Sequence, residues 1–215
     1  MKAISRETGK RLMIFAAGIL IYGFSVGLMA APNVGVSPIS SIAYCMTYLF
    51  PGVSLGTTQL IVNTVMVLIE AALLSWKFPL WLILQLPASL AFSAVIDLTM
   101  PLVRLISGLG SGLVFRWLLF LVSVPVMAVG LFLFLKANLV MLPGDGLAKT
   151  LAKRLNWSFG KATVWNSSTC VVITCILSLV FLKRLVGIQL GTMICALTLG
   201  RLVNLLVAHS PKWLN

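Results

Sequence analysis

Six runs of about 20 apolar residues, each long enough to cross the hydrocarbon core of a bilayer as a helix, dominate this chain. They cover residues 12–31, 56–76, 79–100, 115–135, 163–182 and 186–207. Together they leave no room for a separate soluble domain. Only 9% of the 215 residues are charged, against about 25% in soluble domains. The chain reads as an all-α integral membrane protein.

The net charge of +12 at first suggests a nucleic-acid partner. The placement of the charge argues against one. Lys and Arg gather at the ends of the apolar runs, where they fix orientation and meet anionic headgroups. The partner implied is the lipid bilayer. Cys45, Cys170, Cys175 and Cys195 all lie in apolar stretches and read as buried, unpaired thiols. A zinc site needs convergent Cys and His, and the one histidine, His209, lies in the C-terminal tail. No cofactor or metal is expected. Residues 1–11 are basic and lead into a run too long for a signal peptide, with no small-residue cleavage site after it. They read as the cytoplasmic start of a first membrane helix. Gly23 and Gly27 in that helix make a G-x-x-x-G pair, a packing device for close helices.

Polar interruptions organise the chain. Residues 31–38, A-P-N-V-G-V-S-P, stop the first helix. Residues 39–50 then make a short helix of about 18 Å, too short to cross. The longest polar stretch runs over 136–167 and holds Asp145, one of four acidic residues. It has the same outline: Pro143, a short helix over 146–156, then Ser-apolar-Gly opening a long apolar run. Ser54 falls on Ser158, Gly56 on Gly160 and Gln85 on Gln189 at an offset of 104, and Pro38 on Pro143 at 105. We therefore expect an internal repeat, 1–112 and 113–215, in one compact membrane domain. Each copy has three long helices and one short broken or re-entrant helix. Counts of basic residues do not separate inverted from parallel copies. The short segments do, because 39–50 is uncharged while 146–156 carries Lys149, Lys153 and Arg154. Equivalent segments on opposite faces should differ in this way. The expected arrangement is inverted, with both termini cytoplasmic. Lys77, Lys136, Lys149, Lys153 and Arg154 lie inside; Arg104, Arg116, Lys183 and Arg184 lie outside. Trp76, Trp81, Trp117, Trp157 and Trp213 sit near segment ends as interface anchors.

Gly35-Val36-Ser37-Pro38-Ile39-Ser40-Ser41 and Pro143-Gly144-Asp145-Gly146 resemble the YczE/YyaS/YitT family of small bacterial membrane proteins. Ser54-Leu55-Gly56-Thr57, Ser158-Phe159-Gly160-Lys161 and Asp97 fit the same likeness. It covers nearly the whole chain. It implies a multi-pass protein of the bacterial cytoplasmic membrane, with no established reaction or substrate.

Asp145 stands between two glycines at the start of a short helix. One role is an N-cap, whose carboxylate accepts helix N–H bonds. The other is a broken-helix site, where backbone freed by Pro143, Gly144 and Gly146 holds a substrate or coupling ion. Ser37, Asn63 and Asn166 would join such a site between the copies. Asp97 and Arg201 occupy equivalent positions and make a candidate gate or ion pair. Glu70, near its helix end, is expected at the interface. Gln59, Gln85 and Gln189 are interhelical hydrogen-bond glue or the lining of a polar cavity. The leading functional expectation is a small secondary transporter of a solute or ion. The alternative is a non-transporting membrane partner, alone or as a homo-oligomer, that assists another membrane system. A membrane enzyme fits worst, since there is no paired-histidine motif, no G-x-S-x-G and no close carboxylate pair.

Overall fold

The computed structural model describes residues 2–74 and 79–209, with side chains from residue 7 onward. All regular elements among these residues are helical: α1 Lys2–Ala30, α2 Ser41–Leu49, α3 Leu55–Leu73, the single turn α4 Leu80–Ile83, α5 Gln85–Ser107, α6 Leu113–Ala137, α7 Pro143–Leu155, α8 Phe159–Leu177 with a π-helical turn Ser178–Leu182, and α9 Leu190–Ala208. Six stretches are long and apolar enough to cross a membrane: Glu7–Ala30, Leu55–Leu73, Leu80–Ser107, Leu113–Ala137, Phe159–Leu182 and Leu190–Ala208. Lys77, Trp76 and Trp213 lie outside the described residues.

Local chemistry sets most helix ends. Ser54 caps α3 by accepting from Thr57 N, and Ser158 caps α8 by accepting from Lys161 N. The repeated Ser-apolar-Gly motif is thus a pair of helix starts. Pro143 occupies the first turn of α7, where its missing N–H costs nothing. Asn138 and Asn156 end α6 and α7 in left-handed conformation, φ 47° and 55°. One boundary departs from expectation. The chain was expected to leave the helix at Pro101, yet α5 continues through it to Ser107. The packing of α5 on α1 outweighs one lost hydrogen bond there.

α1 is the central helix and lies along α6 and α5. Small residues permit this. A Cβ on Gly18 would lie 2.7 Å from Phe134 N, and one on Gly130 would lie 2.5 Å from Tyr22 N, so the α1 and α6 backbones touch. Gly23 faces α5 in the same way, against Val95. Met29, Phe120, Met127 and Phe134 fill the core between these helices.

The short helices cross over. α2 packs on α3 and α8; α7 packs on α8 and α3. Their starts approach each other, since a Cβ on Gly144 would lie 3.0 Å from Ile39 Cγ2. At one end of the bundle, the ends of α3 and α6 gather with the start of α4 and with α7 around a cavity. At the other, the loop after α1 is pinned to the start of α9. Val36 N donates to Thr192 Oγ1 at 3.2 Å, and Gly191 N to Val34 O at 3.0 Å. Arg116 of α6 donates to the carbonyls of Pro32 and Asn33 in that loop.

Candidate functional site

The site forms where α7 meets α3 and α5. The Glu70 side chain of α3 is fully buried. Thr150 Oγ1 of α7 donates to Glu70 Oε1 at 2.6 Å, and Gln85 Nε2 of α5 donates to Oε2 at 3.1 Å. Gly146, one turn before Thr150, brings the α7 backbone close to both groups. A Cβ there would lie 2.5 Å from Gln85 Nε2 and 3.0 Å from Glu70 Oε2. A side chain at this position would press on the ends of Gln85 and Glu70 and disturb their hydrogen bond. Glu70 was expected at the interface. It is buried instead, because α7 folds over the end of α3 and shields it. The sequence signal was present in the pairing of a small residue with a hydroxyl at i and i+4 on α7, but only the fold says what that face meets.

On the other side of Gly146 and Thr150 lies a cavity of about 590 Å³. Leu73, Trp81, Phe134, Leu135, Val140 and Met141 contribute apolar walls, and Lys149, Lys153 and Arg154 line it from α7. Arg154 Nη1 donates to Leu73 O and so closes the C-terminal end of α3. Lys149 and Lys153 are exposed and make no ion pair among the described residues. The cavity thus offers two unpaired ammonium groups over an apolar floor. A volume of this size holds a small organic molecule.

The residues expected from sequence distribute as follows. Gly144, Asp145 and Gly146 form the first turn of α7. Asn166 Nδ2 donates to Gly144 O at 2.9 Å and holds that turn on α8. Asp145 is not the N-cap. Leu142 takes that position, with no side-chain cap bond. The reason is Pro143, which starts the helix three residues early and leaves Asp145 inside the first turn, half-buried. Ser37 belongs to the start of α2, where its Oγ donates to Ser40 Oγ at 3.1 Å. Asn63 accepts from Gln59 Nε2 within α3 at 3.1 Å.

Asp97 and Arg201 are not brought together as an ion pair. Asp97 Oδ2 accepts from Ser54 Oγ at 2.6 Å and Oδ1 from Gly56 N at 2.8 Å, while Arg201 is exposed. Among the described residues the one ion pair is Glu7–Arg11 on α1. Equivalent numbering did not produce contact because α3 packs on α5 whereas α8 and α9 share no extended contact. Asp97 is satisfied within its own half of the chain, at the positive end of α3.

No group of His, Cys, Asp and Glu that could hold a metal occurs among the described residues. No curated protein and no solved structure matches the chain. Residues 9–208 match the model of a family of unknown function, DUF6198, and the chain belongs to that family.

Proposed function

We propose that the protein is a small secondary transporter whose solute is an anion with an apolar body. The observation that carries this reading is the cavity set against buried Glu70. A carboxylate inside a membrane helix is costly and marks functional sites. Here only the Gly146–Thr150 face of α7 separates it from a space with cationic and apolar walls. An anionic headgroup on an apolar body matches Lys149 and Lys153 above Phe134, Leu135 and Trp81.

The arrangement of the two halves supports an inverted repeat in the bacterial cytoplasmic membrane. The short helix of each half packs on the second long helix of the other, α7 on α3 and α2 on α8. One contact recurs between equivalent residues. Glu70 meets Gly146, and Thr174, its counterpart at an offset of 104, meets Ser41, the counterpart of Gly146 at 105. With α7 on the cytoplasmic side, its Lys149, Lys153 and Arg154 agree with the positive-inside rule. Two broken segments meeting near the middle of the bundle fit transporters that bind solute between repeats. The likeness to the YczE/YyaS/YitT family extends this reading to a known group of bacterial membrane proteins.

Uptake of radiolabelled benzoate, hexanoate and citrate into proteoliposomes tests the proposal. The expected result is protein-dependent uptake of one or more of these, lowered severalfold by Lys149→Gln with Lys153→Gln. Lack of uptake, together with co-purification of one stoichiometric membrane protein, would favour the second reading, a non-transporting partner. One observation favours that alternative. α8 and α9 leave a broad apolar face, including Val164, Val172, Ile176, Leu190 and Leu197, uncovered by the rest of the chain.

A further inference from the structure

The interface between α3 and α5 is polar along most of its length. On α5, Gln85, Ser89, Ser93 and Asp97 recur every four residues, along one ridge of the helix. On α3, Gly56, Gln59, Asn63 and Glu70 lie on one face. Contacts fix the register at both ends: Gln85 with Glu70, and Asp97 with Ser54 and Gly56. Gln59, Asn63, Glu70, Gln85, Ser89 and Ser93 are all buried, none more than 3% exposed. The seam spans about 20 Å, since 14 helical residues at 1.5 Å separate Gly56 from Glu70.

Gln59 donates to Asn63 and Gln85 to Glu70, but these bonds leave part of the seam unsatisfied. Gln59 Oε1, Gln85 Oε1, Ser89 Oγ and Ser93 Oγ are buried without a hydrogen-bond partner. Elsewhere in the bundle hydroxyls turn back onto their own helix. Thr64 donates to Leu60 O, Thr99 to Val95 O, Ser123 to Phe120 O and Thr198 to Ile194 O. Ser89 and Ser93 do not. Buried polar groups without protein partners are the ones that ordered water satisfies. Four of them lie on one seam, between the two carboxylates.

We propose that this seam holds a water file that carries protons between Asp97 and Glu70, with or without solute in the cavity, and so supplies the coupling ion of the transporter. Asp97 is half-buried at the end of α3 opposite the cavity, and Glu70 lies behind the cavity wall. A proton leaving the Asp97 carboxyl passes to the first water, each water hands one proton onward, and Glu70 gains an O–H. Releasing that proton toward the cavity restores the Glu70 carboxylate, and Asp97 regains a proton from the aqueous phase at its own end of the bundle, so charge and atoms balance. Glu70 is faced by Gln85 on α5, by Thr150 on α7 and by the charge of Lys149 on α7. Asp97 is faced by Ser54 and Gly56 on α3, and forms no ion pair among the described residues. Protonation of Glu70 would weaken its acceptance from Thr150 and Gln85, and Thr150 lines the cavity, which links the proton to the cavity.

This inference rests on the transporter reading, and its test separates the two. The full-length protein is reconstituted in liposomes that contain a pH-sensitive dye, and a potassium–valinomycin potential, negative inside, is applied. Protein-dependent acidification of the lumen is expected. Glu70→Gln should reduce it to the level of protein-free liposomes. Ser89→Ala with Ser93→Ala should slow it severalfold. These serine changes remove only hydroxyls, so the fold survives them. A folded wild-type protein that moves no protons overturns the inference, as does acidification that these serine and glutamate variants leave unchanged. Anion uptake that continues without proton movement also overturns it and leaves the transporter reading standing. Proton movement with no uptake of any of the three anions overturns the anion transporter and leaves the proton path.

Discussion

Thr150 of α7 donates its hydroxyl to Glu70 of α3 over 2.6 Å. This bond ties the short helix of the second half of the chain to a long helix of the first. It is also a buried contact to a carboxylate, so its geometry has measurable consequences.

Replacing Glu70 separates charge from hydrogen bonding. Glu70→Gln keeps an acceptor for Thr150 or Gln85 and should unfold within about 1 kcal/mol of wild type. Glu70→Ala leaves the buried Gln85 amide without its acceptor and opens a void, and should cost about 2–4 kcal/mol. Thermal unfolding in detergent, followed by tryptophan fluorescence, measures both. Equal losses for the two variants would show that the hydrogen bonds do not hold α7 in place.

Glycine substitutions probe the same contact from the other side. Gly146→Ala would set a Cβ 2.5 Å from Gln85 Nε2. It should disturb the hydrogen bond of Gln85 to Glu70 and cost about 1–3 kcal/mol. Gly160 in the first turn of α8 has open space around it, and Gly160→Ala should be neutral or stabilise by up to about 1 kcal/mol through helix propensity. The contrast checks that packing, not backbone propensity, selects glycine at 146.

How much of this could be read from the chain follows from what each feature depends on. The spans, the short helices and the two Ser-apolar-Gly starts depend on local composition and capping, and they stand close to where the residues put them. Pro101 misled because a proline breaks an isolated helix, yet α5 is held by α1 on one side and α3 on the other. Asp145 misled by one turn, since Pro143 can begin a helix as readily as precede one. Asp97 and Arg201 looked like partners only if both halves packed alike, and α8 and α9 do not repeat the contact of α3 with α5. Glu70 was legible as an acid in an apolar run but not as a buried one. Its burial depends on α7 folding across it from 80 residues away in sequence.

Asp97 should behave as an anchor for the start of α3 rather than as half of an ion pair. Asp97→Ala removes the acceptor of Gly56 N and Ser54 Oγ and should cost about 1–2 kcal/mol. Asp97→Asn retains one acceptor and should cost less. A thermal-stability cycle of Asp97→Asn with Arg201→Gln should be additive within about 0.5 kcal/mol. A coupling clearly above that would restore the ion pair.

An inverted arrangement would fix which residues face the same side. Single cysteines at Lys153 and Asn138, which sit by the cavity, should react with an impermeant maleimide only from the cytoplasmic side. Cysteines at Arg104 and Lys183 should react only from outside. Labelling of Lys153 and Lys183 from one side would require parallel halves and would move the cavity to the other face.

Asp145 gives the sharpest separation of structure from function. A carboxylate that caps a helix contributes about 0.5–2 kcal/mol, which alanine removes. Asp145 makes no cap bond. What remains is its attraction to the N-terminal end of α7, about 0.3–1 kcal/mol, set against the cost of holding a charge half-buried among apolar helices. These terms oppose each other. Asp145→Asn should therefore leave stability unchanged or raise it slightly, and Asp145→Ala should cost no more than about 0.5 kcal/mol. If the first turn of α7 binds solute or ion, both variants should lose uptake at equal membrane expression, because neither carries the charge. Thermal unfolding and proteoliposome uptake on the same preparations check the pair of outcomes. Full uptake by Asp145→Asn would remove Asp145 from the site and leave Glu70 as its one buried acid.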